Sequence, residues 1–150
     1  MFDPRSVPVS RTARIAVFEV AAGVGAALAS ALSAHEVRVM PTGPGVVTLV
    51  TEWHPDVIVL FGPGNELIQS VGAVAGAGQL IVSRDGSLGS MGLADVELHA
   101  WLPAGATLSQ VQLAVESGLR REREQRELRR HQEVLRRILA LATIVGRLRS

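Results

Sequence analysis

Short apolar runs alternate with amphipathic stretches over the first two thirds of this chain. Five runs predict strands, at residues 14–20, 36–40, 56–61, 79–83 and 96–102. The stretches between them predict helices at residues 21–34, 45–54 and 66–75, with residues 84–93 as a weak fourth. The runs at 56–61 and 79–83 are almost continuously apolar, which is typical of parallel strands covered on both faces. The pattern predicts an α/β fold, a three-layer, doubly wound parallel sheet of five strands.

Capping residues mark the starts of two of the helices. Asn65 is the predicted N-cap of the helix that follows the third strand. Thr107 and Gln110 have the spacing of a capping box, which predicts the start of a final helix. That helix meets no strong breaker before Gly146. Forty helical residues span about 60 Å, far more than packing against a sheet requires, so we expect a long C-terminal helix that extends beyond the α/β domain.

Charge divides the chain into two parts. The sequence has no lysine, so all 15 basic residues are arginines. Residues 1–119 hold five arginines and ten acidic residues, a net charge of −5, whereas residues 120–150 hold ten arginines and four acidic residues, a net charge of +6. This change predicts three regions, a lead at 1–12, an α/β domain at 13–119 and a helical extension at 120–150.

Composition excludes several classes of protein. A hydrophobic content of 47% is that of a globular chain and not of a disordered one. The absence of cysteine excludes disulfides and cysteine metal sites. The first residues show no signal-peptide pattern, and no window reaches the roughly 18 apolar residues of a membrane span. We therefore expect a cytoplasmic protein.

Two short stretches and the order of the elements resemble a known family. The run Pro-Asp-Val-Ile-Val-Leu at residues 55–60 and the pair Leu102–Pro103 before the last helix resemble the receiver domain of bacterial response regulators. The resemblance covers about residues 13–119 and implies a flavodoxin-like, receiver-like sheet. Another doubly wound α/β domain would show the same alternation of strands and helices, and that alternative stays open.

The resemblance also implies which residues occupy the family's phosphorylation site. Receivers carry an acidic pair for Mg²⁺ after the first strand, where this chain has Phe18 and Glu19. The phosphoacceptor aspartate at the end of the third strand corresponds to Phe61, the switch Ser/Thr to Ser83, and the lysine at the end of the fifth strand to Leu102. One carboxylate is a poor Mg²⁺ cage, and phosphoryl transfer needs a nucleophile and nearby positive charge. The resemblance therefore implies a degenerate pseudo-receiver, and we expect no catalysis, no bound metal and no cofactor.

Glycine clusters after two strands support a different hypothesis. Gly23-Val24-Gly25 follows the first strand and Gly62-Pro63-Gly64 follows the third. Loops of this kind can offer backbone N–H groups to a small molecule or a nucleotide. The dinucleotide fingerprint lacks its third glycine, because Leu28 stands there. A small-molecule or nucleotide-binding α/β domain is the alternative function.

The helical extension has a charged first part and an apolar second part. Residues 120–133 are almost wholly charged and predict a solvated helix that leaves the domain, with favourable i,i+4 pairs at Glu122/Arg126 and Glu133/Arg137. Apolar residues then return at heptad spacing. Three rows recur: Leu128, Leu135 and Ala142; His131, Ile138 and Val145; Val134, Leu141 and Leu148. Their apolar members form the predicted dimer interface. Such a wide apolar face needs a partner, and a second copy is the simplest one.

These patterns combine into one functional hypothesis. We expect a non-catalytic, phosphorylation-independent signalling or scaffold module that acts through protein–protein contacts. The long helix would form a homodimer through a parallel coiled coil or a small helical bundle. Another signalling protein or a downstream output domain is the expected further partner. Interleaved glutamates dilute the positive charge of the helix, so neither nucleic acid nor a membrane is an expected partner.

Overall fold

The computed structural model describes residues 12–19, 24–62, 64–74, 78–85 and 97–149. Five strands lie in this part of the chain: β1 Arg14–Glu19, β2 Glu36–Pro41, β3 Val57–Phe61, β4 Gln79–Ser83 and β5 Ala100–Leu102. Four helices accompany them: α1 Val24–Ala31, α2 Val46–Trp53, α3 Asn65–Gly72 and α4 Leu108–Arg149. The predicted lead at 1–11 and most of the weak fourth helix, residues 86–93, lie outside the described residues.

The sheet is parallel throughout and has the strand order β2-β1-β3-β4-β5. This is the doubly wound, flavodoxin-like order, in which the chain reverses direction across the sheet between β1 and β3. Helices cover both faces, so the predicted fold class, a three-layer α/β sandwich with a long C-terminal helix, is confirmed.

Three local predictions were wrong. From residue 97 onward, where the structure describes it, the strand predicted at 96–102 is a strand only at Ala100–Leu102, although the backbone N–H of His99 also donates to the carbonyl of Leu80 at 2.8 Å. Asn65 is the first residue of α3 and not its cap. Gly64 occupies the cap position, without a side-chain hydrogen bond. Arg84 and Asp85, the start of the predicted weak helix, are not helical.

Two apolar clusters, one on each face of the sheet, form the core. Alternate residues of the central strands point to opposite faces. Ile58 and Leu60 pack with residues of α2 and α3, whereas Val57 and Val59 pack with residues of α1 and α4. All four are fully buried. This double burial explains why β3 reads as a continuous apolar run.

Helix α4 begins as the capping box predicts. The backbone N–H of Gln110 donates to Thr107 Oγ1 at 3.2 Å, and the backbone N–H of Thr107 donates to Gln110 Oε1 at 2.9 Å. Val111 and Val115 are fully buried against the sheet. The first part of α4 is therefore an element of the domain core.

Candidate functional site

Four of the five residues that the family resemblance selects lie in one row across the sheet. The parallel register places Glu19 of β1 opposite Phe61 of β3, Phe61 opposite Ser83 of β4, and Ser83 opposite Leu102 of β5. The row runs along the carboxyl ends of the strands, the edge at which open parallel sheets hold ligands and chemistry. We call these four residues the strand-end row.

Phe18 does not join this row. Its side chain is fully buried in the cluster on the α2 and α3 face, whereas Phe61 and Leu102 pack on the α1 and α4 face. Phe61 is half-buried at the end of β3. At the two positions where a receiver carries its acceptor and its cation, the strand-end row thus presents apolar side chains.

The carboxylate of Glu19 is engaged with the backbone. Glu19 Oε2 accepts a hydrogen bond of 2.8 Å from the backbone N–H of Gly25 in the first turn of α1. A Cβ atom at position 25 would clash with Val39 Cγ1 and lie 3.0 Å from the Glu19 carboxyl, so a glycine is needed for this close approach. The contact satisfies a helix N–H that has no partner within the helix, and it places negative charge at a helix N-terminus.

The strand-end row does not fit a Mg²⁺ ion. Mg²⁺ demands near-octahedral oxygen ligands and is usually held by one or two carboxylates together with phosphate and water. Glu19 is the single carboxylate in the row, and it already bonds to Gly25. Within the described ranges, no group of three or more His, Cys, Asp or Glu side chains is placed to hold a metal ion.

Ser83 is buried, and its hydroxyl has a partner. Ser83 Oγ donates to the backbone carbonyl of Pro103 at 3.0 Å, directly after β5. The backbone N–H of Gly62 donates to the carbonyl of Ser83 at 2.9 Å, and Gly62 has a φ of 63°, a left-handed conformation that favours glycine. These bonds join the ends of β3, β4 and β5. The arrangement holds the edge together and engages the Ser83 hydroxyl with the backbone.

The structure describes only part of the glycine loops that motivate the alternative function. Residues 20–23 and Pro63 lie outside the described residues. Of the rest, the N–H of Gly25 bonds to Glu19 and the N–H of Gly62 bonds to Ser83. These two donors are therefore already used within the protein.

The second candidate site is the far part of α4, residues 127–148, which we call the distal helix. Its large apolar side chains are exposed at nearly every apolar position of the predicted interface: Leu128 57%, Val134 52%, Leu135 58%, Ile138 55%, Leu141 62%, Val145 46% and Leu148 80%. Ala142 is exposed as well.

No helix in the described part of the chain combines the length and apolar character needed to cross a membrane.

Two further apolar residues of the distal helix escape the sequence prediction. Leu139 is 67% exposed and Ile144 is 53% exposed. Both fall outside the heptad rows, and the sequence signal that could have found them is simply their apolar character. With these two residues, the exposed apolar surface of the distal helix extends beyond the three predicted rows.

Contacts between α4 and the domain continue past the predicted boundary at residue 119. Glu122, predicted to be solvated, is 8% exposed. Its carboxylate accepts a bond of 3.0 Å from Gln79 Nε2 and lies 3.5 Å from Arg126 Nε. Arg126 also pairs with Asp56, which precedes β3. We call Asp56, Gln79, Glu122 and Arg126 the polar clamp. The sequence predicted its Glu122/Arg126 pair but not the contacts to Asp56 and Gln79, because these lie far from α4 in the chain.

A cavity lies next to this clamp, at the opposite edge of the sheet from the strand-end row. Its volume is about 460 Å³, and its polar walls include Gln79, His99, Arg121 and Gln125. Gln79 Nε2 donates to Gln125 Oε1 at 2.8 Å, and His99 Nε2 lies 3.0 Å from Ser117 Oγ. Burial, and secondly the charge of Arg121, lower the pKa of His99 below its ordinary value of 6.5.

Comparisons with solved structures find receiver domains. The signal receiver domain of a Vibrio parahaemolyticus protein described as a LuxO repressor superposes with a TM-score of 0.67 at 12% identity, covering 79% of this chain and 98% of that one. The N-terminal domain of a response regulator/sensory box/GGDEF protein from Carboxydothermus hydrogenoformans gives 0.59 at 20% identity, covering 75% and 98%. These likenesses show a receiver-like fold.

A third similar structure is a fusion protein. It carries a trimeric coiled-coil segment of yeast Spc42 and superposes with a TM-score of 0.61 at 19% identity, covering 90% of this chain and 97% of that one. No protein-family model matches the sequence. No curated protein matches it either.

Proposed function

We propose that this chain is a receiver-like signalling or scaffold module that acts through protein–protein contacts and without phosphoryl transfer. The observation that carries the proposal is the composition of the strand-end row. At the edge where the receiver fold places its chemistry, Phe61 and Leu102 supply apolar surface. Glu19 and Ser83 are bonded to backbone groups of the protein itself. A phosphorylated receiver needs an acceptor, a cation and a metal cage at this edge.

Phosphorylation with a small-molecule donor tests this proposal. The protein is incubated with acetyl phosphate and Mg²⁺, and intact-mass spectrometry records any added phosphoryl group. We expect no mass gain, while an ordinary receiver domain with its aspartate gains one phosphoryl group under the same conditions. A stable acyl phosphate on any carboxylate of this chain would contradict the proposal.

Self-association of the distal helix is the second part of the proposed function. The exposed apolar side chains of residues 127–148 are too numerous for a helix that stands alone in water, and such patches mark sites of protein contact. A homodimer through these helices covers many of them. The likeness to a fusion protein with a coiled-coil segment supports self-association. A downstream output domain or another signalling protein is the proposed further partner.

Substitution in the apolar rows tests the self-association. Leu135→Asp places a charge at an interface position that is 58% exposed in the single chain. We expect the single chain to fold as before and the homodimer to dissociate, because the charge would be buried without a partner. Size-exclusion chromatography with light scattering measures the mass, and Gln132→Asp, on the polar side of the helix, is the control. An unchanged oligomer in the Leu135 variant would contradict the assignment of this row.

A small-molecule-binding role is a second candidate, and the cavity favours it. Its volume of about 460 Å³ lies within the roughly 300–1,000 Å³ of ligand sites. A thermal-shift screen with nucleotides and small organic anions tests this role. A rise in Tm that disappears in an Arg121→Ala variant would support a ligand in the cavity. A screen without any shift would favour the scaffold.

A further inference from the structure

We infer that two copies of this chain pair their α4 helices in parallel and in register, with each α/β domain on the outer side of the pair. The inference rests on the proposed self-association of the distal helix and adds direction and register to it. It depends on which faces of α4 are used by the domain and which are left exposed.

One heptad frame describes the most regular apolar rows of the distal helix. It places Ile138 and Val145 at position a, and Leu141 and Leu148 at position d. All four are exposed, by 55%, 46%, 62% and 80% in chain order. Among parallel coiled coils, β-branched residues at a with leucine at d favour two strands. Val134 occupies the preceding d position and is 52% exposed.

We call positions a and d of this frame the seam. When the frame is continued toward the start of α4, the residues buried against the domain fall outside the seam. The residues of α4 that are buried against the domain fall at the outer positions b, c and f: Val111, Val115, Gly118, Leu119 and Glu122. Those positions face away from the partner in a coiled coil. The a and d positions at the level of the domain, such as Leu113 and Arg120, are exposed. One unbroken helix thus binds its own domain on one side and offers the seam on the other.

This placement identifies a second copy as the occupant of the seam. A partner helix that contacts positions a and d lies on the side of α4 away from the buried positions b, c and f, and the domain comes near this side at the exposed Ser117 of position a, whose Oγ lies 3.0 Å from His99 Nε2. A second copy carries the same apolar rows at the same positions along the helix, so its apolar residues lie opposite those of the first copy. The two domains then lie on the outer sides of the helix pair.

The order of the seam residues favours parallel over antiparallel pairing of the two helices. In a parallel, in-register pair, each of Val134, Ile138, Leu141, Val145 and Leu148 packs against its own counterpart. In an antiparallel pair centred between Ile138 and Leu141, Leu148 instead faces His131 of the second copy. Because polar partners bury apolar side chains less well, parallel pairing covers more apolar surface.

Disulfide cross-linking tests direction and register, since the chain has no cysteine of its own. Leu148→Cys and His131→Cys each place a thiol in the seam, and Arg136→Cys places one at the outer position f as a control. After mild oxidation, we expect each seam variant to form a covalent dimer with itself and the control to remain uncrosslinked on a non-reducing gel. Disulfides need Cβ atoms about 3.5–4.5 Å apart, so they report the register directly.

The outcomes separate this inference from the proposal on which it rests. If neither seam variant cross-links alone but an equal mixture of the two does, the pair is antiparallel and the inference fails while self-association stands. If the protein dimerises and no seam cysteine cross-links in any combination, the seam is wrong. If light scattering finds a monomer at all concentrations, the proposed self-association itself fails.

Discussion

The two halves of α4 have the same secondary structure and opposite surroundings. In residues 108–126, one side is buried in the core or held by the polar clamp, while the other side is exposed. In residues 127–148, every described side chain is exposed, including nine large apolar ones. The more apolar part of the two is therefore the less buried one. This contrast shows that the first half belongs to the domain, and it supports the proposal that the second half serves contacts with another molecule.

The largest effects are expected from truncating one apolar side chain in each half of α4. Val115→Ala empties a fully buried position and should lower the free energy of unfolding by about 2 kcal/mol. Leu141→Ala should leave the unfolding of the domain unchanged and weaken self-association about tenfold or more. Urea unfolding at low protein concentration, followed by tryptophan fluorescence, checks the first effect. Equal losses of domain stability in both variants would contradict the contrast.

Breaking the polar clamp should have a smaller effect. Arg126→Ala removes one partner of Asp56, which keeps its bond from the backbone N–H of Arg14, and one partner of Glu122. We expect a loss of about 1 kcal/mol, because the arginine is itself partly exposed. Hydrogen exchange should show faster opening of α4 at residues 120–127. Arg120→Ala, at an exposed position, is the control, and an equal effect of both variants would mean that the clamp contributes nothing.

The two glycines of α4 give a matched pair of smaller changes. A Cβ atom at Gly118 would lie 3.4 Å from Val57 Cγ2, an ordinary contact, and one at Gly146 would meet nothing within 4 Å. Alanine in a helix interior is favoured over glycine by up to about 1 kcal/mol. Gly118→Ala should therefore raise the Tm of the domain slightly, whereas Gly146→Ala should raise helicity and self-association without changing that Tm. Calorimetry and circular dichroism check both, and a lower Tm for Gly118→Ala would mean that the sheet does not tolerate the methyl group.

The smallest predicted effect is a pH dependence of domain stability, which comes from His99 beside the first half of α4. Burial and Arg121 lower the pKa of His99 in the folded protein, so the unfolded chain takes up a proton first as the pH falls. Stability should therefore decrease below about pH 6.5 through the lower pKa of the folded state. His99→Gln, which can still bond to Ser117, should lose less stability between about pH 7 and pH 5. The same pH dependence in both proteins would exclude His99 as its source.

Local chemistry made much of the fold predictable. The capping box of Thr107 and Gln110 depends on residues three apart, and both of its hydrogen bonds are present. The continuous apolar run of β3 follows from burial on both faces of the sheet. The Glu122/Arg126 and Glu133/Arg137 pairs are likewise local, with N–O distances of 3.5 Å and 2.8 Å. In the capping box and in both ion pairs, the two partners lie within one or two helical turns of each other.

Long-range contacts were not predictable in the same way. Asp56 and Arg126 are 70 residues apart, and Gln79 and Glu122 are 43 residues apart. Residues 120–126 are mostly charged, which is typical of a solvated helix, and nothing in the local pattern shows that Glu122 faces a sheet edge. For the candidate site, the sequence predicted that Glu19, Phe61, Ser83 and Leu102 would meet at one edge. It did not predict that the Glu19 carboxylate would bond to Gly25.

The measurement that tests the central claim most directly is the mass of the full chain in solution. Light scattering of the unchanged protein and of Ile138→Asp, with Arg136→Asp as the control on the outer face, compares one seam position with one outer position. We expect twice the mass of one chain for the unchanged protein and the control, and the mass of one chain for Ile138→Asp, because a charge at the seam would be buried without a partner. A single-chain mass for all three proteins, or a dimer that survives Ile138→Asp, would contradict the claim that the distal helix is the functional surface.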